Sequence, residues 1–261
     1  LPVALWLLGN QLSVDAAPLA GEDEVLMIEA YDFADRLPYH PYKLTLVFSA
    51  MRHFRDRLRA DGYEVTYLRA ESFAEGLAEY AAAAPDDDLV LQRPAAHRAG
   101  ERLRDLAADA GLTVTLVEND LFLTTPAEWD EWAADRGDTY RQEHWYRHVR
   151  RETGVLMDDG DPVGGEWNYD DENRETPPDD WEPPALATFE PDEITREVHA
   201  MVTDRYDHLW GNHELDEFCW PVTREQALQA LEQFVEVRLP AFGPYQDAMV
   251  EGEWAMNHSL L

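Results

Sequence analysis

Short apolar runs alternate with stretches of helical periodicity over the first 120 residues of the chain. In the helical stretches, apolar residues recur three or four positions apart, which predicts helices over 42–59, 73–84 and 99–110. The remaining segments are short and mostly apolar, which predicts buried strands at 3–8, 25–30, 65–68, 89–91 and 113–117. Strands and helices that alternate with short links are typical of a parallel sheet covered on both faces. We therefore predict an α/β fold with a doubly wound parallel sheet over residues 1–125.

The pattern changes after residue 125. Helices rich in Trp and Tyr are predicted over 126–134 and 139–153, and no further strand is predicted. Residues 155–192 are rich in proline, glycine and acidic side chains and have no periodicity, which indicates a long connector. Helical periodicity returns at 194–209 and 223–237. We predict three parts: the α/β domain (1–125), helices with an interdomain connector (126–192), and the start of a helical domain (193–261).

Composition narrows the class of protein. The hydrophobic fraction of 45% is enough for a packed core and excludes a disordered chain. The formal net charge is −33, and Lys43 is the only lysine, which favours a soluble cytoplasmic protein of a salt-adapted cell. No apolar run is long enough to span a membrane, and the apolar N-terminal run lacks the flanks of a signal peptide. One cysteine, Cys219, cannot form an internal disulfide or a multi-thiolate metal centre within this sequence.

One candidate binding segment follows the first predicted strand. In an open parallel sheet, ligands bind beyond the carboxyl ends of the strands. Gly9 would allow close approach of a ligand to the backbone, and Asn10 or Gln11 could form hydrogen bonds with it. A plain turn explains the same three residues, because the sequence contains no dinucleotide-binding glycine motif and no P-loop.

A second candidate segment is the most basic stretch of this acidic chain, residues 141–151. Helical spacing predicts one face that carries Arg141, His144, either Arg147 or His148, and Arg151. From this stretch we take Arg141, Arg147, His148 and Arg151 as the candidate binding residues. Such a face could bind a nucleic-acid backbone. Ion pairing with neighbouring carboxylates is the alternative interpretation. His144 and His148 have the spacing of metal ligands, but no third ligand is evident, and we predict no metal site.

Several local sequences resemble one known family. They are the segments 8–13 (LGNQLS), 48–54 (FSAMRHF), 164–174 (GGEWNYDDENR), 242–249 (FGPYQDAM) and 257–261 (NHSLL). In this order they resemble the deoxyribodipyrimidine photolyase-related proteins, the prokaryotic iron–sulfur branch of (6-4) photolyases and cryptochromes. The resemblance identifies the sequence as the N-terminal portion of such a protein.

The resemblance implies a light-driven DNA-repair flavoprotein that acts as a lyase. Photoexcited reduced FAD would pass an electron to a pyrimidine photoproduct, a (6-4) lesion in this branch, which is flipped out of UV-damaged DNA. The α/β domain would hold a ribityl-lumazine antenna, and residues 193–261 would begin the helical FAD-binding domain. The family's 4Fe–4S cluster uses four cysteines that would lie beyond Leu261. A cryptochrome-like photoreceptor without repair activity and a nucleotide-binding module without photochemistry remain alternatives, and a monomer is the expected state.

The resemblance also implies site residues. Gly9, Asn10, Gln11, Phe33 and Val47 would line the antenna site. For FAD, the resemblance implies contacts from Asn257, His258, Ser259 and Leu260. Family members often have Asp where this chain has Asn10, and Phe33 stands where an acidic contact is expected. No catalytic residue is assigned, because the lesion-facing residues of relatives lie beyond Leu261.

Overall fold

A computed structural model of the chain describes residues 3–15, 18–19, 24–85, 88–137, 139–178, 180–182, 184–248 and 251. Its centre is a five-stranded, entirely parallel sheet with strand order β3-β2-β1-β4-β5. The strands are β1 (Val3–Leu7), β2 (Glu24–Ala30), β3 (Glu64–Ala70), β4 (Asp88–Gln92) and β5 (Thr113–Val117). Helices lie on both faces of the sheet, which confirms the predicted α/β fold.

Alternate residues of each strand enter two separate hydrophobic cores. Trp6 and Leu26 point to one face, where α2 (Phe73–Ala83) and α3 (Ala99–Asp109) pack. Leu5 and Val25 point to the other face, where α1 (Pro41–Ala60) packs. Because the central strands are buried on both sides, they are read in the sequence as continuous apolar runs.

The face under α1 also receives a helix from much later in the chain. Helix α6 (Glu193–Arg205) contributes Val198 and Val202, both fully buried, to the same core as α1. Asp192 caps α6 by accepting a hydrogen bond from the Thr195 backbone N–H at 2.9 Å. The Nε2 atom of His53, on α1, lies 2.9 Å from the Asp192 carboxylate. The start of α6 is therefore tied to the middle of α1.

A buried ion pair joins these elements to the sheet. On α1, Arg52 is 3% exposed; it donates from Nη2 and Nε to the carboxylate of Glu29 on β2, at 2.8 and 3.0 Å, and Glu29 is completely buried. Arg52 Nη1 donates to Glu197 on α6 at 2.9 Å. The Tyr67 hydroxyl on β3 also donates to Glu29. Burial, followed by the Glu29 charge, raises the pKa of Tyr67, so this hydroxyl stays protonated and can donate.

The second half of the chain is mainly helical. It contains α4 (Pro126–Ala133), α5 (Gln142–Thr153), α7 (Arg224–Gln233) and α8 (Leu239–Tyr245), and a π-helical turn, Phe234–Arg238, joins the last two. The prediction that no strand follows residue 125 was wrong. Met157–Asp158 and Asp161–Pro162 form a two-residue antiparallel pair, β6 and β7. Strands this short have no periodicity by which the sequence could reveal them.

The chain divides into two compact units. One comprises Leu1–Phe122 with Thr188–Ala227, and the other Leu123–Ala187 with Leu228–Leu261. These units are groups of residues that pack together, and they do not test the domain boundaries at 125 and 192, which stay a prediction. Across the described ranges, no helix is both long and apolar enough to cross a bilayer.

The buried pair makes a direct prediction about stability. Replacing Arg52 by Met leaves the Glu29 carboxylate buried without its cation, and we expect a loss of about 3–5 kcal/mol in the free energy of unfolding. Urea denaturation measures this loss. Arg57→Gln is the matched control, because Arg57 is on the same helix but half-exposed in its ion pairs, and we expect it to cost less than about 1 kcal/mol. Equal losses for the two variants would show that the buried pair does not hold the fold together.

Candidate functional site

The strand order places one candidate site at the carboxyl edge of the sheet. Strand order reverses between β1 and β4, because the chain builds outward from β1 to β3 and then returns to the other side. In open α/β sheets, the crevice beyond this reversal is the usual place for a ligand. The segment 8–11, which follows β1, lies at this edge.

Gln11 joins β1 to β4 at the crevice. Its side-chain amide donates to the Gln92 carbonyl at 2.8 Å, and its oxygen accepts from the Leu8 backbone N–H at 3.3 Å. The Gln92 side chain continues the network by donating to Asn119 at 3.1 Å. Gln11 is 2% exposed, so its side-chain amide hydrogen-bonds the backbone at the ends of β1 and β4 and is not free to face solvent. Asn10, beside it, is exposed.

Gly9 lies close to the helix that covers this edge. A side chain at position 9 would bring its Cβ within 2.8 Å of Met51 Sδ and 3.5 Å of Val47 Cγ1, both on α1. Glycine therefore permits the close packing of strand end and helix. Val47 also packs against the core under α1, so Gly9 and Val47 are neighbours at this edge of the sheet.

Phe33 borders the same core from the short helical segment after β2, Tyr31–Asp35. Its ring stacks on Tyr39, with centroids 5.1 Å apart and planes within 9°. Arg36 lies 5.9 Å from the Phe33 ring, and Lys43 lies 4.6 Å from the Tyr39 ring. The stack thus presents aromatic surface beside two cations.

Asp32 is an acidic residue that the sequence analysis missed. Its backbone N–H donates to the Glu71 carbonyl at 2.8 Å, while its side-chain Oδ1 is buried and accepts no hydrogen bond from any residue that the structure describes. Buried carboxylate oxygens normally have a partner. An acidic group thus lies next to Phe33, one position from where the family pattern requires it. The sequence signal was the neighbouring acid itself, which a strict alignment on position 33 passes over.

Residues after α6 hold the 31–35 segment in place. The Tyr206 hydroxyl donates to the Tyr31 carbonyl at 2.9 Å, and His208 Nε2 lies 3.3 Å from the Ala34 carbonyl. Burial raises the pKa of Tyr206 to about 12, so it remains a donor at neutral pH. The Arg205 guanidinium lies 4.2 Å from the Tyr31 ring. The 31–35 segment is therefore held by the residue after β3, through Glu71, and by the residues after α6, through Tyr206 and His208.

A second candidate site lies on α5. Three arginines surround the Trp167 ring, with the guanidinium carbons of Arg147, Arg150 and Arg151 at 5.2, 5.3 and 4.6 Å from its centroid. Arg147 also pairs with Glu143 at 2.7 Å, whereas Arg151 is exposed. Among the described residues, no carboxylate lies within ion-pair distance of Arg151. We name Arg147, Arg151 and Trp167 the arginine–tryptophan surface.

Arg150 supports this surface from below. It is 5% exposed, and its guanidinium donates to the carbonyls of Val155 at 3.3 Å, Leu156 and Trp167 at 3.4 Å, and to the Tyr146 hydroxyl at 2.8 Å. Neither the burial of Arg150 nor the contact of Trp167 with the arginines of α5 can be read from the sequence pattern.

A glycine turn delivers Trp167 to the arginines. Gly164 and Gly165 have φ values of +87° and +88°, which favour glycine. The Tyr169 hydroxyl occupies the place that a Cβ on Gly164 would need. The Gly-Gly-x-Trp sequence is therefore a folding requirement of this segment.

The remaining expected site residues either lie away from the arginine–tryptophan surface or fall outside the residues that the structure describes. His148 faces away from the arginine–tryptophan surface, with its ring 5.3 Å from Trp145 and 6.2 Å from Trp132. Arg141 is exposed at the N-cap position of α5. The FAD expectation, Asn257, His258, Ser259 and Leu260, falls outside the described residues.

Comparisons with known proteins agree with the topology. Residues 5–220 match the model of the family described as deoxyribodipyrimidine photo-lyase-related protein. A (6-4) photolyase of Agrobacterium fabrum is 36% identical over 266 residues, which cover 98% of this chain and 52% of that protein. An uncharacterized protein of Acanthamoeba polyphaga mimivirus is 24% identical over 161 residues, covering 59% of this chain and 82% of that protein. The chain thus spans about half the length of the (6-4) photolyase, and it belongs to the deoxyribodipyrimidine photolyase-related family.

Proposed function

We propose that this chain is the amino-terminal part of a light-driven DNA-repair flavoprotein, a lyase that acts on UV-damaged DNA. The observation that carries the proposal is the 36% identity to a (6-4) photolyase over nearly the whole chain. Reduced FAD, when bound, supplies light-driven electron donation to a pyrimidine photoproduct, of the (6-4) type by this analogy. We assign Asn257, His258, Ser259 and Leu260 to the flavin side, and the 4Fe–4S cluster to sequence beyond Leu261. We further place the protein in the cytoplasm of a salt-adapted cell as a monomer.

The sheet edge is the proposed antenna site. Gly9 and Val47 lie in contact at the end of β1, and Phe33 offers an aromatic wall beside Arg36. Asp32 supplies a buried acceptor that fits a ribityl hydroxyl or a ring N–H of a lumazine. Exposed Asn10 can contact the polar end, whereas Gln11 shapes the site through β4.

The arginine–tryptophan surface is the proposed DNA contact. A net charge of −33 repels DNA, so attraction must come from a local concentration of cations. Arg147 and Arg151 provide it on a rigid helix, and their contact with Trp167 orders their side chains before DNA arrives. Arg141 extends the positive charge toward the start of α5. His148 lies on the same helix and stays a proposed DNA contact, but its ring packs against tryptophans instead of the arginines.

Repair itself is tested with the full-length protein. We expect the FAD-loaded, reduced protein to restore a synthetic oligonucleotide that carries one (6-4) photoproduct under blue light, with chromatography of the strand as the measurement. A dark reaction and a cyclobutane-dimer strand serve as controls. Both lesions remaining intact under light would reject repair and favour the cryptochrome-like photoreceptor.

The DNA surface predicts a change in salt dependence. Neutralising Arg147 and Arg151 to Gln removes up to two phosphate contacts, so the slope of log affinity against log salt should become shallower by about 2. Fluorescence anisotropy of labelled duplex DNA over a salt series measures the slope. Arg104→Gln with Arg102→Gln is the matched control, because both arginines are exposed on α3. An unchanged slope in the double variant would remove the surface from the interface.

The antenna site predicts a role for Asp32. In Asp32→Ala, a ribityl-lumazine loses a charged hydrogen-bond acceptor, and we expect about tenfold weaker binding to the full-length protein. Lumazine fluorescence titration measures the affinity. Asp35→Ala, an exposed acid in the same segment, should bind normally. Equal affinities of the two variants would place the pigment elsewhere or reject it.

A further inference from the structure

A half-open cavity that the proposed function does not use lies between helices α4 and α5. Its volume is about 380 Å³, which lies within the roughly 300–1,000 Å³ range of small-ligand pockets. Aromatic rings form part of its wall: Trp132, Trp145 and His148 all line it. Trp132 is 6% exposed, and its ring centroid lies 5.2 Å from that of Trp145, so this wall is firmly packed.

The charged residues around the cavity are mostly acidic. Glu128, Glu131 and Glu152 line it, against one cation, Arg136. Hydrogen bonds from the Thr125 backbone and hydroxyl lower the pKa of Glu128, which therefore stays ionised at neutral pH. The lining therefore carries three carboxylates against one guanidinium. A cavity of this charge attracts a cation and repels phosphate or carboxylate groups.

The aromatic wall already holds one cation. The Arg136 guanidinium lies 4.4 Å from the Trp132 ring centroid and also donates to the Trp132 carbonyl. A planar cation over an indole face is a favourable cation–π contact. The protein's own side chain therefore shows that a guanidinium fits this wall, while Trp145 and the carboxylates of Glu131 and Glu152 remain beside the cavity.

We propose that the α4–α5 cavity is a binding site for an alkylguanidinium group, either of a free small molecule or of an arginine side chain on a partner. Trp145 offers an aromatic surface to the group, because Arg136 already covers the Trp132 ring, and Glu131 and Glu152 bind the N–H edge of the group. Arg136 occupies part of the wall and competes with the incoming group. This site lies on the His148 side of α5, away from the arginine–tryptophan surface.

The test uses the full-length protein and N-acetyl-arginine amide as the probe. Isothermal titration calorimetry should show saturable binding with a Kd of about 1 mM or tighter. N-acetyl-citrulline amide has nearly the same shape without the charge and should not bind. A short peptide with one central arginine is the second arm. Binding much tighter than the amide indicates a protein partner, and equal binding indicates a free small molecule.

Variants locate the binding in the cavity. Glu131→Gln and Glu152→Gln should each weaken binding by about two- to fivefold, the range of an exposed ion pair. Glu182→Gln changes an exposed glutamate outside the cavity lining and should have no effect. Arg136→Gln clears the Trp132 face and should strengthen binding. No saturable binding to wild type and Arg136→Gln, equal binding of the citrulline analogue, or unchanged affinity in both glutamate variants would overturn the proposal.

Discussion

The Glu29–Arg52 pair is the constraint on which the architecture of the sheet face depends. A completely buried carboxylate is tolerable only if a cation and further donors surround it, and Arg52 and Tyr67 provide them. This requirement fixes the rotation of α1 on the sheet. It also explains how α6, from far along the chain, finds its place, because Arg52 has one nitrogen left for Glu197. The segment after β2, Tyr31–Asp35, then contacts the end of α6 through Arg205 and Tyr206.

Much of the fold could be predicted because both faces of the sheet are buried. Short, mostly apolar runs such as 25–30, alternating with helical stretches, are typical of buried strands, and the charged face of α1 gave its period clearly. The partner of α1 could not be predicted, because the apolar residues of α6 are compatible with any hydrophobic surface. Arg52 was read as part of a polar helix face, since a sequence does not show that a distant Glu29 needs it.

The candidate sites show the same division. Gly9 next to Val47 followed from the resemblance, and the structure brings them together. Asp32 stands beside Phe33 in the sequence, but only the structure shows that its buried Oδ1 has no hydrogen-bond partner among the described residues. On α5, helical spacing left open whether Arg147 or His148 shares the face of Arg141 and Arg151, because the two are neighbours 100° apart around the helix. Arg147 and Arg151 contact the Trp167 ring, whereas His148 packs against Trp132 and Trp145. The tertiary partners, rather than the spacing, decided the separation.

The central claim is that these elements belong to a pigment-bearing photochemical protein. The visible absorption spectrum of the full-length protein, purified from its own host in the dark, tests this most directly. The account expects flavin absorption bands that stay with the protein through gel filtration and bleach on reduction. A colourless protein that takes up no flavin when FAD is added would contradict it and leave a nucleotide-binding module without photochemistry.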